Sequence, residues 1–396
     1  MKIAMLTSGI LPIPAVQGGA VENFIDFFLE YNNIHHKHQI TVYSVYDSKI
    51  ENHPAIQSEV NHYKYIKTDN LWRKLKRRIH SYLHKGSYYN SFIDYYISKA
   101  VKDIERNNYD VIIMHNRPGY VESLIGKTSA KLVFNDYNDL LNNTTRSNRK
   151  IYDALSLIIT TSNYIGGRIK TIRDIPNKCI TIYAGIDIQK FSPNITPQIT
   201  RDNLGLSNKD FVLVFSGRLT PEKGIRELIT TLELLGEYPA IKLLIIGSSF
   251  FGNTNDDNEF IISLKQQAET MKDRIRFTGF IPYELMPSYL KISDVAVIPS
   301  LWDDPLPTTV LEAQAMRLPI ITTNRGGIPE EVTKSNAIII PTGTEFEKRF
   351  AEAILLIYNN IDLREKMKKT PDEQIQKFNK ERYAKDFYEA IESLDI

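Results

Sequence analysis

Short apolar segments that alternate with stretches of helical periodicity constrain this chain more than any other feature. Residues 2–8 are apolar and end at Gly9, and the apolar residues of 20–31 then recur at helical spacing. Further apolar segments alternate with helical or polar stretches at 40–45, 111–114, 132–135 and 157–161. This alternation is typical of a doubly wound parallel sheet, so we predict an α/β fold.

The same pattern begins again after a polar stretch, 191–208, that contains Pro193 and Pro197. We predict strands there at 211–216, 241–246, 275–277, 295–299, 320–323 and 337–340, and helices that include 221–235 and 309–316. A length of 396 residues is more typical of two domains than of one. We therefore predict one Rossmann-like domain over 1–190 and another over 191–376, with 377–396 ending in a helix that packs back on the first domain.

Composition excludes some classes of function. The formal net charge is +2, which is too small to indicate a nucleic-acid partner. The single cysteine, Cys179, allows no internal disulfide and fits a reducing compartment. The sequence contains no apolar run of roughly 20 residues that could cross a bilayer. We expect a cytoplasmic protein.

The segment 216–224, SGRLTPEKG, lies where a predicted strand meets a predicted helix. Unpaired amides and the helix dipole stabilise anions at such a place. Arg218 can hold phosphate oxygens in a fork, and Lys223 supplies a point charge. These residues predict a diphosphate site, and the alternative is a solvated helix start with surface charges.

A second segment, 299–313, joins a strand to a helix through an acidic loop. Its helix is predicted to start near Thr308, so that Thr308 and Thr309 present amides to a phosphate. Asp304 would then face sugar hydroxyls and Glu312 a ribose diol, because carboxylates accept hydrogen bonds from paired hydroxyls. The alternative is that the acidic residue before the helix is only a cap.

The order GRLTPEKG, IIGSS, RFTGFIP and ISDVAVIPSLWDDPLPTTVLEAQAMRLPIITTNRGGIPEEV resembles the group 1 (family 4) retaining glycosyltransferases. That resemblance covers nearly all of the second domain and implies the GT-B fold, in which two Rossmann-like domains face each other across a cleft. It implies that Arg218 and Lys223 hold the donor diphosphate and that Glu312 binds the ribose. Other donor-site positions implied by the resemblance are Gly217, Phe280, Ile281, Leu306, Thr308 and Thr309.

Asp304 departs from the family pattern, which has glutamate at this position. Aspartate is one methylene shorter than glutamate, so we expect the donor sugar to bind in a shifted position or the donor to be an uncommon one.

The first domain resembles the family more loosely, through Gly18, Gly19 and the stretch around His115. The glycine pair would let backbone approach a donor phosphate or the acceptor, or would form only a turn. His115 would reach the transferred sugar, or would be structural.

The resemblance implies transfer of a sugar, with retention, from a UDP-, dTDP- or GDP-linked donor to a saccharide or lipid-linked saccharide, in bacterial surface polysaccharide biosynthesis. We expect no metal and no other cofactor. A nucleotide-sugar epimerase and a non-catalytic nucleotide-binding subunit stay open as alternatives. A nicotinamide-dependent dehydrogenase does not fit, because Gly9, Gly18 and Gly19 do not form a G-x-G-x-x-G pattern.

Residues 71–85 combine a cluster of cations with apolar residues at helical spacing and read as a basic amphipathic helix. The cations are Arg73, Lys74, Lys76, Arg77 and Arg78. One interpretation is peripheral contact with the inner face of the plasma membrane, next to a lipid-linked acceptor. The other is a helix that covers the first domain with a solvated face.

Overall fold

The computed structural model describes residues 1–68, 91–248, 258–369 and 372–395. Contacts divide the chain into two compact units, Met1–Gly185 with Glu381–Ile396, and Ile186–Lys380. The sequence predicts domain boundaries at 190/191 and 376/377. The predicted amphipathic segment 71–85 lies outside the described residues. Within the described ranges, no helix is both long enough and apolar enough to span a bilayer.

The first unit contains a parallel sheet whose strand order is β3-β2-β1-β4-β5-β6-β7. Its strands are β1 (Lys2–Leu6), β2 (Gln39–Val45), β3 (Asn61–Ile66), β4 (Val111–His115), β5 (Lys131–Asp136), β6 (Leu157–Thr160) and β7 (Cys179–Thr181). The interior strand β1 is buried on both faces from Ile3 to Leu6. Apolar residues fill both faces because helices cover a parallel sheet on each side.

The helices of this part of the chain are α1 (Ala20–His35), α2 (Ser91–Ile104), α3 (Gly119–Leu124), α4 (Asn148–Ala154) and α5 (Asn163–Lys170). Helix α1 buries Phe24, Ile25, Phe28 and Leu29, which recur at the spacing of one helical turn. That apolar stripe is the reason why the segment after the glycine loop folds as a helix against the sheet.

The second unit repeats the architecture with the strand order β10-β9-β8-β11-β12-β13. Its strands are β8 (Phe211–Ser216), β9 (Ile241–Ile246), β10 (Ile275–Gly279), β11 (Val295–Ile298), β12 (Ile320–Thr323) and β13 (Ala337–Ile340). Its helices are α6 (Ile225–Leu234), α7 (Glu259–Ala268), α8 (Met286–Lys291), α9 (Thr308–Ala315), α10 (Ile328–Glu331), α11 (Phe346–Asn359), α12 (Ile361–Met367) and α13 (Asp372–Gln376). All the strand pairs in both sheets are parallel, and the α/β prediction is confirmed.

The last helix, α14 (Lys380–Glu392), packs on the first unit through aromatic side chains. The ring of Tyr388 stacks on that of Phe28 at 4.1 Å, and Phe387 meets Phe28 edge-on at 4.9 Å. The Tyr388 hydroxyl donates a hydrogen bond to the Phe28 carbonyl oxygen at 3.1 Å. Aromatic burial of this kind fixes the end of the chain to helix α1.

One predicted helix begins later than expected. The sequence predicts a helix over 221–235, but Pro221–Lys223 form a 3₁₀ turn and α6 starts at Ile225. Gly224 separates the two with a φ of 71°, a left-handed conformation that favours glycine. Lys223 therefore belongs to the turn before the helix.

Candidate functional site

Four loops at the carboxyl edge of the second sheet are joined by backbone hydrogen bonds. The Gly217 N–H donates to the Ile246 carbonyl at 3.0 Å, and the Gly247 N–H donates to the Gly279 carbonyl at 2.9 Å. The Leu301 N–H donates to the Glu222 carbonyl at 2.9 Å. The loops after β8, β9, β10 and β11 therefore form one continuous edge. Ligands of open α/β sheets bind outside this end of the strands.

Two glycines allow these loops to approach so closely. A Cβ atom on Gly224 would lie 2.0 Å from the carbonyl oxygen of Pro299, and one on Gly247 would lie 1.8 Å from that of Gly217. Real Cβ atoms do not make contacts this short, so no other residue fits without backbone movement. The turn that carries Lys223 is thereby held against the end of β11.

Lys223 and Asp304 form an ion pair, with Nζ 2.5 Å from Oδ2. Asp304 is 5% exposed, and the Lys223 side chain is 20% exposed with its ammonium 5.5 Å from the centre of the Trp302 ring. From the sequence alone, Lys223 is expected to bind phosphate and Asp304 to bind sugar hydroxyls, as separate roles. In this structure each neutralises the other, so an anion that binds Lys223 has to compete with Asp304.

Arg218 lies at the start of the loop after β8, four residues before Glu222. Its Nη2 is 4.0 Å from the Glu222 carboxylate, and both side chains are partly exposed. A solvated pair at this distance is weak. Sequence reasoning gave Glu222 no role.

Helix α9 presents its N-terminus at the same edge of the sheet. Pro307 precedes it and no side chain of the described residues caps it. Thr308 and Thr309 are half-buried in its first turn. The first amides of a helix have no partner inside the helix and favour an anion.

Glu312 follows in α9 and is 3% exposed. Burial raises the pKa of its carboxyl to about 7, and a hydrogen bond from the Thr308 side chain opposes that rise. Of the other predicted donor residues, Leu306 is buried, whereas Gly217, Phe280 and Ile281 are half-buried in loops at the same edge. Their assignment to donor binding stays a prediction.

Glu331, at the end of α10, is a residue that sequence reasoning missed. It is 0% exposed, and neither carboxyl oxygen has a hydrogen-bond partner among the described residues. Burial raises the pKa of this carboxyl well above its usual value; Asp304 and Glu330 raise it further, and Lys223 opposes them. The sequence contains two adjacent glutamates here, and nothing in the pattern distinguishes the buried one.

In the first unit, His115 ends strand β4 and is 2% exposed. Burial lowers the pKa of its imidazole to about 3, so the ring is neutral at physiological pH. Neither ring nitrogen has a hydrogen-bond partner in the described part of the chain, and the ring stacks on Tyr137 at 5.8 Å. A neutral imidazole offers one donor and one acceptor.

Gly18 and Gly19 have φ values of 76° and 109° and precede helix α1. The space beside Gly18 is open, whereas a Cβ atom on Gly19 would lie 2.3 Å from the carboxylate of Glu22. Burial raises the pKa of Glu22 to about 7. Gly19 therefore makes room for a buried acid, and no motif in the sequence indicates the burial of Glu22.

Within the described ranges, no three His, Cys, Asp or Glu side chains are grouped so that they could hold a metal ion.

Comparison with known proteins shows what the chain is similar to. Residues 198–374 match the model of the glycosyl transferases group 1. The chain is 29% identical over 381 residues to spore coat protein SA of Bacillus subtilis, covering 93% of each chain. It is 32% identical over 166 residues to an Escherichia coli UDP-Gal:alpha-D-GlcNAc-diphosphoundecaprenol alpha-1,3-galactosyltransferase, covering 40% of each chain.

The fold is shared with a solved structure over the whole chain. The Anabaena protein Alr3699/HepE, in complex with UDP and glucose, superposes with a TM-score of 0.75 at 20% identity, covering 100% of both chains. The two parallel sheets and their helices are those of the GT-B fold. Residues 198–374, which lie in the second unit, therefore match a glycosyltransferase domain of group 1.

Proposed function

We propose that the enzyme takes its sugar from a nucleoside diphosphate donor held by the second unit. The observation that carries this proposal is the convergence of Arg218, Lys223, the N-terminus of α9 and the buried Glu312 at one edge of the sheet. Cations and helix amides suit a diphosphate, and a carboxyl suits paired hydroxyls. The structural relative solved with UDP and glucose supports this donor class.

Binding of the diphosphate would rearrange the pair between Lys223 and Asp304. The ammonium turns to the phosphate oxygens, and the carboxylate of Asp304 becomes an acceptor for hydroxyls of the attached sugar. The charge that develops on the leaving diphosphate is then stabilised by Lys223, Arg218 and the amides of Thr308 and Thr309. Two charges that neutralise each other in this structure would thus be separated by the substrate.

We propose transfer with retention by a same-face route. The bond between the anomeric carbon and the phosphate oxygen breaks, and the acceptor oxygen forms its bond on the same face. The acceptor proton passes to the leaving phosphate, so nucleoside diphosphate departs with it. Gly18, Gly19 and His115 are proposed to serve the reacting sugar or the acceptor, since the neutral His115 ring has a donor and an acceptor to offer.

The acceptor is proposed to be a saccharide or a lipid-linked saccharide of surface polysaccharide biosynthesis. The relative that transfers galactose to a diphosphoundecaprenol-linked sugar supports this class of acceptor.

We also propose that residues 71–85 contact the membrane, a proposal that rests on the sequence alone. Replacing Arg73, Lys74, Arg77 and Arg78 with Gln should reduce flotation with anionic liposomes, and unchanged flotation would refute the contact.

A panel of UDP-, dTDP- and GDP-sugars, incubated without acceptor, tests the donor assignment. Release of nucleoside diphosphate from one or more donors is expected, and Lys223→Met should abolish most of it. Lys272→Met, on an exposed side chain of the same unit, is the matched control. An epimerase would convert the free sugar nucleotide without release, and a non-catalytic subunit would bind without either reaction. Equal release by both variants would overturn the assignment.

A further inference from the structure

The helix that carries Glu331 is tied directly to the loop that carries Asp304. The Gly327 N–H donates to the Asp304 carbonyl at 2.7 Å. Gly326, with a φ of 56°, lies so close that a Cβ atom would be 2.2 Å from the same oxygen. Arg325 also forms an ion pair with the loop, its Nε lying 3.1 Å from the Asp303 carboxylate. The position of Glu331 is therefore fixed relative to the ion pair of Asp304 and Lys223.

Burial without hydrogen bonds determines the charge of Glu331. An ionised carboxylate inside a protein, with neither oxygen bonded, is strongly unfavourable, so the group holds its proton. Four charged groups act on it: Asp304 and Glu330 favour the protonated form, and Lys223 and Lys377 favour the ionised form. Desolvation is the largest influence and raises the pKa.

The charge balance of the site depends on that proton. With Glu331 neutral, Lys223 is matched by one carboxylate, Asp304, and the pair carries no net charge. With Glu331 ionised, two carboxylates share one ammonium and the cluster becomes negative. A negative cluster both retains the ammonium and repels a diphosphate.

We propose that Glu331 is a positioning residue of the donor site, whose protonated form releases Lys223 to the diphosphate and whose ionised form holds Lys223 back. This inference rests on the proposed donor site. Glu331 is fully buried and acts through Lys223 and Asp304, without contact with the donor.

The consequence is a loss of nucleoside diphosphate affinity as the pH rises. At the proposed donor site, two further groups change charge over this pH range: the buried Glu312, with a pKa of about 7, and the terminal phosphate of the ligand, with a pKa of about 6. The change of charge of Glu312 and that of the phosphate occur equally in the wild type and in a Glu331 variant. The difference between the two proteins therefore isolates Glu331.

The test measures dissociation constants of UDP, dTDP and GDP by calorimetry from pH 6 to pH 9. The wild-type affinity for the best of the three should fall by about tenfold more than that of Glu331→Gln, which keeps the neutral form. Glu352→Gln, on an exposed carboxyl that is not among the groups acting on Glu331, should follow the wild type. If the dissociation constants of Glu331→Gln and wild type changed with pH in parallel, the role of Glu331 would be refuted, whereas the proposed donor site would not be. Failure of the wild type to bind any of the three at any pH would overturn both.

A second measurement keeps the inference testable if Glu331→Gln does not fold. Binding to the wild type near pH 8, in two buffers of different ionisation enthalpy, gives the number of protons exchanged. The phosphate is already ionised there, and a diphosphate beside Glu331 favours the protonated carboxyl, so proton uptake is expected. No uptake at any pH from 7.5 to 9 would contradict the role of Glu331.

Discussion

Replacing Glu312 with Gln should change how the stability of the second unit depends on pH. Burial raises the pKa of this carboxyl from 4.5 to about 7, so the folded state keeps a proton that the unfolded state loses. Below pH 4.5 both states are protonated, and the folded state has its full stability. Stability then falls through the window from 4.5 to about 7. Each pKa unit is worth about 1.4 kcal/mol, so the loss is about 3 kcal/mol.

Gln cannot ionise, so the variant should lack this loss and gain about 3 kcal/mol relative to wild type between pH 4.5 and pH 8. Urea unfolding at several pH values measures the difference. Trp72 and Trp302 are the two tryptophans, so a Trp72→Phe background makes fluorescence report on the second unit alone. Glu352→Gln, on an exposed position of α11, is the control and should follow wild type. A Glu312→Gln difference that stays constant with pH would refute the assignment of a buried, protonated acid.

Three further predictions follow from the same geometry. Lys223→Met should destabilise the second unit by about 3 kcal/mol, because it leaves the buried Asp304 unpaired. The double variant with Asp304→Asn should regain stability in urea unfolding but should not regain nucleotide binding. Gly224→Ala should lower the free energy of unfolding by about 3 kcal/mol, because the added Cβ would collide with the backbone of Pro299. Gly236→Ala is the control and should change this free energy little, since its Cβ would make only an ordinary contact. Similar effects of the two substitutions would contradict the close approach of Gly224 to Pro299. The His115 ring resonance should not titrate between pH 5 and pH 8 by NMR, and a titration midpoint in that range would contradict its burial as a neutral ring.

The strands of the second sheet could be predicted closely because most of their residues are apolar. Strands β8, β9, β12 and β13 have the predicted bounds, and β8, β9 and β12 are buried along most of their length. Strands β3 and β7 were not predicted. The sequence of β3, NHYKYI, alternates polar and aromatic residues at the edge of its sheet, and β7 has three residues, all half-buried.

The site could be predicted in its parts but not in its pairing. The motifs placed Arg218, Lys223 and Asp304 in loops that follow strands and Glu312 in the helix after the second loop, where the structure also has them. The ion pair between Lys223 and Asp304 depends on a loop held by Gly224 and on a second loop 81 residues away, so no local pattern reveals it. Likewise, the burial of Glu331 is decided by the packing of α10.

Hydrogen–deuterium exchange with and without nucleoside diphosphate tests the donor assignment most directly. Peptides that contain 217–224 and 304–312 should exchange more slowly when UDP, dTDP or GDP is bound, because the amides there would donate to phosphate oxygens. The nucleoside without phosphates should protect them far less. Protection by the diphosphate confined to other parts of the chain would contradict the account.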